Sequence, residues 1–156
     1  MIRVVLTVAV AVALLAASLP ALETARTETT ADRLDAEGDR VERAVAGVVA
    51  GSVAVEDPAL AARTTTTVRA PSGIAAAPVD RFAIAEVERD EGGSTAALRY
   101  RIDGGSDRTV PVAPEAVPAT VETADGPIAL RTRGESRIAF RFVDDDEPTV
   151  RIERAG

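Results

Sequence analysis

Residues 4–22 contain no ionisable side chain, and the chain runs from them, through Pro20, straight into a charged segment of helical periodicity with no linker between the two. At the helical rise, 19 residues cover about 28 Å, close to the roughly 30 Å of a hydrocarbon core. Such a run must end in lipid, against other helices, or in a peptidase. A cleaved secretory signal is the alternative to an anchor, since Arg3 supplies a basic start and Ala16, Ala17 and Ser18 offer small residues before a cut. Two features favour a retained anchor: the run exceeds the usual signal core of about 7–15 residues, and the next segment continues as helix. With no Cys in the chain, a lipoprotein anchor is excluded. Arg3 precedes the span, whereas Glu23 and Glu28 flank Arg26 after it, so the positive-inside bias places the amino terminus inside and the rest outside. The expected layout is a single-pass anchor at 1–22, an amphipathic stalk helix and linker at 23–62, and a β domain at 63–156.

The stalk reads as one helix to about Ala50. Leu34, Val41 and Val48 recur every seven residues, with Ala44 and Val45 filling the same stripe. Glu37, Asp39, Arg40, Glu42 and Arg43 occupy the other sides. Glu37 with Arg40 and Asp39 with Arg43 stand three and four apart, which supports an exposed face by about 0.2–0.5 kcal/mol per pair. Gly38 is the expected weak point, at about 1 kcal/mol relative to Ala. The stripe suits packing against a domain; fewer than three full heptads are present for a coiled coil.

Gly51 and Pro58 punctuate the chain, and from about Arg63 the period becomes alternating. Expected strands are 63–70, 80–87, 95–102, 108–112, 128–132, 137–143 and 149–154. Turn-rich separators at 91–94, 103–107, 133–136 and 144–148 are too short for parallel crossovers, so an antiparallel meander is expected. Pro111, Pro114, Pro118 and Pro127 mark an irregular excursion. The fold class is α+β: membrane helix, stalk helix, small antiparallel sheet domain.

Composition sets the limits on partners. The chain is 46% apolar, but 31 residues are Ala and the aromatics are only Phe82, Tyr100, Phe140 and Phe142, so the core is thin. Acids outnumber bases 25 to 18, and every base is Arg. Acidity with abundant Ala, Thr, Asp and Arg and no Lys resembles the proteins of halophilic archaea, where acidic excess maintains solubility in salt and does not by itself signal a ligand.

The segment 14–26, LLAASLPALETAR, followed by an amphipathic helix and a sheet, resembles the N-terminal spine of type IV pilins and pseudopilins. In that family an apolar half-helix with a Pro near its end packs in a filament core and continues as the half-helix beneath a small β domain. The resemblance implies a pilin-like layout and a structural or accessory role in a pilus-like or secretion assembly, with other subunits and the membrane as partners. Two departures stand out: no leader with basic residues ends in Gly or Ala, and no acid lies in the apolar half, where Thr7 is the only polar residue of the first part. The alternative is a stand-alone membrane-tethered module that binds at the cell envelope.

Catalytic classes narrow quickly. Without His or Cys, imidazole triads, thiol nucleophiles, thiolate or imidazole zinc sites and haem ligation are unavailable, so the expectation is a non-enzyme with no cofactor and no metal. Asp144, Asp145, Asp146 and Glu147 lack the interleaved Gly and distal Glu of a calcium loop and read as a solvated hairpin turn. Asp103 and Asp107 around Gly104 and Gly105 read the same way. One pattern remains. Strand parity puts Leu98, Tyr100, Ile102, Ile128, Leu130, Ile138, Phe140, Phe142, Val150 and Ile152 on one face, and Arg99, Arg101, Arg131, Arg133, Arg137, Arg141 and Arg151 on the other. That arginine face is either solvated, with acids donated by loops and stalk, or a docking surface for an acidic partner such as another subunit or an anionic glycan. Nucleic acid is not expected, because stacking aromatics are scarce.

Overall fold

The protein is described by a computed structural model over residues 2–89, 93–114 and 117–155. One helix, α1 (Ile2–Gly51), carries the apolar run and the amphipathic segment without a break, with Pro20 inside it. Hydroxyls of the apolar half turn back on the helix: Thr7 Oγ1 donates to the Arg3 carbonyl at 2.9 Å and Ser18 Oγ to Leu14 at 2.8 Å. Thr24 Oγ1 likewise donates to the carbonyl of Pro20 at 3.0 Å. The two side-chain hydroxyls of residues 4–22 are thus both satisfied within the helix, as suits a segment in hydrocarbon. By length and composition this helix can cross a membrane. Its large apolar side chains from Ile2 to Leu22 are all more than half exposed, so nothing in the head covers them.

The second half behaves differently. Ala31, Leu34, Gly38, Val41, Val45 and Val48 are buried, with steps that alternate three and four residues, so one narrow seam faces the head. Gly38 is a member of that seam. A Cβ at this position would stand 2.6 Å from Val110 Cγ1 and 3.2 Å from its Cβ, so the glycine expected to weaken the helix is where a strand comes closest to it. Glu37 also departs from expectation: it is buried at 9% exposure, and its Oε2 accepts from the Arg69 amide at 3.1 Å. It keeps the expected Arg40 partner at 3.8 Å, whereas Arg43 Nε donates to the backbone carbonyl of Asp39, not to its carboxylate.

The strands are β1 (Arg63–Ala70), β2 (Val79–Glu88), β3 (Ser94–Ile102), β4 (Arg108–Pro111), β5 (Thr120–Thr123), β6 (Ile128–Ala129), β7 (Gly134–Asp145) and β8 (Glu147–Arg154). They form two sheets, ordered β1-β7-β8-β5 and β4-β3-β2-β6, in place of a single meander. Hairpins β2–β3, β3–β4 and β7–β8 follow the short turns, but β1 finds its antiparallel partner in distant β7, with Arg63 opposite Arg141. β5 corrects the antiparallel expectation, because it pairs parallel to β8, with Val121 opposite Val150. The intervening β6 and β7 supply more than the dozen residues that a parallel crossover needs. Pro118 and Pro127 flank these four residues without interrupting them, and the strand sits at a sheet edge, where neighbouring prolines cost no ladder bond. The expected 128–132 strand shortens to Ile128–Ala129. Of the expected turn at 91–94 and the Pro-rich excursion, Glu91, Gly92, Glu115 and Ala116 lie outside the described residues.

All ten large apolar residues assigned to one face are buried, drawn from two sheets that share a single core with the helix seam. The class is α+β, with one parallel strand pair. Tyr100, fully buried, donates its hydroxyl to Asp35 Oδ1 at 2.5 Å and ties β3 to the helix. Burial and that bond push the phenol up to about 12.

Gly38→Ala should destabilise the detergent-solubilised protein by about 1 kcal/mol, because overpacking against the stiff Val110 outweighs the better helix propensity of Ala. Gly47→Ala, with nothing within 4 Å, should be neutral or stabilising. Chemical denaturation of the two variants decides, and equal effects would refute the close approach. Stability should also fall between about pH 10, where an unfolded tyrosine ionises, and the folded value near 12, since ionisation then favours the unfolded chain. Tyr100→Phe should remove that part of the alkaline loss.

Candidate functional site

The expected arginine face divides into three separate groups, with Arg133 apart from all of them. On the outer face of β1-β7-β8-β5, register aligns Arg63, Arg141, Arg151 and Glu122 in one row across the four strands. Glu153 Oε1 accepts from Arg141 Nε at 2.9 Å and lies 3.3 Å from Arg63 Nε. Arg151 Nε donates to Glu122 Oε1 at 2.8 Å, and its other arm reaches Asp145. The bond to Glu122, reinforced by the charge of Asp145, raises the Arg151 guanidinium above its usual range. Arg141 also donates from Nη1 to the Pro58 carbonyl at 2.9 Å. This row is internally neutralised, by acids from a strand, an edge strand and a hairpin.

Arg99 and Arg101 belong to the other sheet. Register sets Arg81 directly opposite Arg101, a repulsive arrangement that needs a counter-charge. Asp107, in the turn before β4, supplies it. Arg101 grips this carboxylate with two bonds, Nε at 3.0 Å and Nη2 at 2.9 Å, while Arg81 Nη1 lies 3.3 Å and Arg99 Nη2 3.9 Å away. The bonds from Arg101 and the charges of all three arginines hold the Asp107 carboxyl below the usual carboxylate range. Asp107 therefore corrects the turn reading made for it: it is the shared counter-ion of a sheet face. Three guanidiniums meet one carboxylate, and Arg99 Nε is buried with no acceptor.

The third group lies in the connection from β6 to β7, the first half of β7 and the end of β8. Arg131, Arg137 and Arg154 line a cavity of 550 Å³ with Leu130 and Ser136. Ser136 Oγ accepts the Arg131 amide at 2.8 Å, and the Arg154 guanidinium donates to the Ala129 carbonyl. Glu135 on the rim is engaged by Arg69 at 2.8 Å. None of the three cavity arginines has an ion-pair partner among the described residues. Arg133 lines a different cleft of 270 Å³, beside Pro71 and Pro78.

Alternation alone could have found Arg63 and Arg81, since both lie opposite in parity to buried neighbours on β1 and β2. Arg154 could not be found this way. It shares the parity of buried Ile152 and escapes the core only because the strand ends there and the sheet opens onto the cavity. The acids came from β8 (Glu153), β5 (Glu122), the end of β7 (Asp145) and the turn before β4 (Asp107), and among the described residues the stalk helix contributes none to these arginines. The 144–147 run is a hairpin whose one-residue tip, Asp146, has φ 64°, with Asp145 opposite Glu147. Among the described residues no three His, Cys, Asp or Glu side chains converge as a metal site would need.

Because the folded carboxyl of Asp107 lies below its unfolded value, its contribution to stability is complete above the ordinary carboxylate range and is lost as pH falls through and below that range. Asp107→Asn should flatten the acid limb of a stability profile followed by thermal melting. A variant curve parallel to wild type down to about pH 2 would show that the carboxylate is not linked to folding. By contrast, Arg131→Gln and Arg137→Gln should change stability by no more than about 0.5 kcal/mol, as expected for exposed side chains away from any brace.

No curated protein and no solved structure matches the chain. Residues 1–155 match the sequence profile of a family described as a domain of unknown function, DUF7311, so the chain belongs to that family through its anchor, stalk and head together.

Proposed function

We propose that this protein is a single-pass, membrane-anchored, extracytoplasmic structural or accessory subunit of a pilus-like or secretion assembly in a halophilic archaeon. One observation carries the reading: a single helix of 50 residues is open on every side over its apolar half and buried along one seam over its second half. An apolar surface of that extent is not left in water. Lipid covers it before assembly, and the same surface on neighbouring copies can replace lipid afterwards, as in the pilin-like layout. Because helix and head share one core, the head is held at a fixed distance and orientation from the membrane. Arg3 before the span and the acids Glu23 and Glu28 after it support a head outside the cell. The absence of His and Cys supports a non-catalytic role.

A stand-alone envelope-binding module is the second reading, favoured by the cavity with three guanidiniums that lack ion-pair partners among the described residues.

The chain has no Cys, so a single one reports contacts cleanly. Leu6→Cys and Leu14→Cys, placed in separate variants expressed in the native membrane, should give disulfide-linked dimers on oxidation, since self-assembly brings apolar halves together. Monomers alone at both positions, with the protein membrane-bound and folded, would reject the assembly and leave the tethered module. Labelling of Thr65→Cys by a membrane-impermeant maleimide on intact cells should succeed, and failure there would reverse the orientation.

A further inference from the structure

Besides the arginine-lined cavity, two patches of opposite sign are incompletely compensated among the described residues, and they lie on different sheets. The first is the Arg81, Arg99 and Arg101 group on β2 and β3. Its one carboxylate, Asp107, already receives two bonds from Arg101 and one from Arg81 at 3.3 Å, so Arg99 at 3.9 Å has the smallest share. Among the described residues the group has a surplus of two positive charges, and the Arg81, Arg99 and Arg101 side chains are 53%, 40% and 36% exposed, so a carboxylate from outside can reach them.

The second patch is the β7–β8 hairpin tip. Of its four consecutive acids, Asp145 is held by Arg151 and Glu147 accepts from Thr120 Oγ1 at 3.0 Å. Asp144 and Asp146 are exposed and have no ion-pair partner among the described residues. The positive φ of Asp146 puts it alone at the apex of the turn.

We infer that the acidic hairpin tip of one copy docks on the Arg81, Arg99 and Arg101 group of a second copy, a contact that rests on the assembly proposed above. A carboxylate from Asp146 bonds the exposed Nη end of Arg99, which has only a 3.9 Å contact with Asp107, and brings the cluster nearer to neutrality. Guanidinium–carboxylate bonds of this kind are short-range and directional, so they persist at salt concentrations that abolish long-range steering. Where each interface uses one tip and one cluster, the contact is head-to-tail and propagates from copy to copy into a ring or an open filament, whereas a reciprocal pair of such contacts closes a two-fold dimer.

The test uses two differently tagged full-length copies in the same membrane, one with Thr109→Cys, opposite Arg99 on β4, and the other with Pro148→Cys, opposite Asp144 at the hairpin. Oxidation should link the two tags. Adding Asp146→Arg to the copy with Pro148→Cys, or Arg99→Glu to the copy with Thr109→Cys, should each lower the yield about tenfold or more by placing like charges together. Combining both reversals should restore it. Arg99→Gln replaces Arg99→Glu if the latter fails to fold, and should give a smaller loss with no rescue. A link that forms regardless of charge, or one that forms instead to Asp39→Cys on the stalk, overturns the contact. Loss of this link while Leu14→Cys still dimerises defeats the docking alone, whereas loss of both defeats the assembly reading as well.

Discussion

The seam along the second half of α1 is the contact on which the rest of the structure depends. Leu34, Val41, Val45 and Val48 reach into a core supplied by both sheets, so without the helix neither sheet has a complete apolar cover. Three polar ties fix the register of that packing. Thr30 Oγ1 accepts from the Ala77 amide at 2.9 Å, Asp35 from the Tyr100 hydroxyl and Glu37 from the Arg69 amide. These groups are buried or half-buried, where a missing partner costs more than a bond gains, so each tie penalises any slide of the helix past the strands. Gly38 sets the spacing, because no larger residue allows Val110 so close. The head is thereby packed directly onto the helix that carries the apolar run.

Charge is distributed on a different principle. The chain has a formal net charge of −7, yet the outward faces of its sheets are dominated by arginine. Neutralisation is local and uneven. The Arg63, Arg141 and Arg151 row is closed by Glu153, Glu122 and Asp145, whereas the Arg81, Arg99 and Arg101 group has Asp107 alone. Exposed ion pairs contribute only about 0–1 kcal/mol each, so this pattern matters less for stability than for which surfaces seek a partner. The surplus cations and the exposed Asp144 and Asp146 lie on separate surfaces of the head.

Much of the architecture was legible because it rests on periodicity. The apolar run, the seven-residue recurrence of Leu34, Val41 and Val48, and the alternation of Leu98, Tyr100 and Ile102 each reflect one local geometry, whatever the rest of the chain does. The strand at 63–70 matched residue for residue, and its neighbours matched to within a few positions. Three readings failed where a distant partner decided the outcome. Glu37 looked like a surface acid until β1 brought the Arg69 amide to it. Gly38 looked like a defect until β4 was laid against the helix. Thr120–Thr123 looked like part of an irregular loop because four residues between prolines have no pattern of their own, and only β8 makes them a strand.

The sequence by itself determined that an apolar helix long enough to span a membrane runs unbroken into an amphipathic one, that the remainder is β, and that imidazole and thiol side chains are absent. These follow from residue type and local spacing. Only the tertiary structure decided that the strands divide between two sheets, that one pair is parallel, and that the seven arginines expected on one face fall into separate groups with different counter-ions. Strand partners and charge neighbours are set by which distant segments can close a common core, and alternation along one strand is blind to the strand beside it.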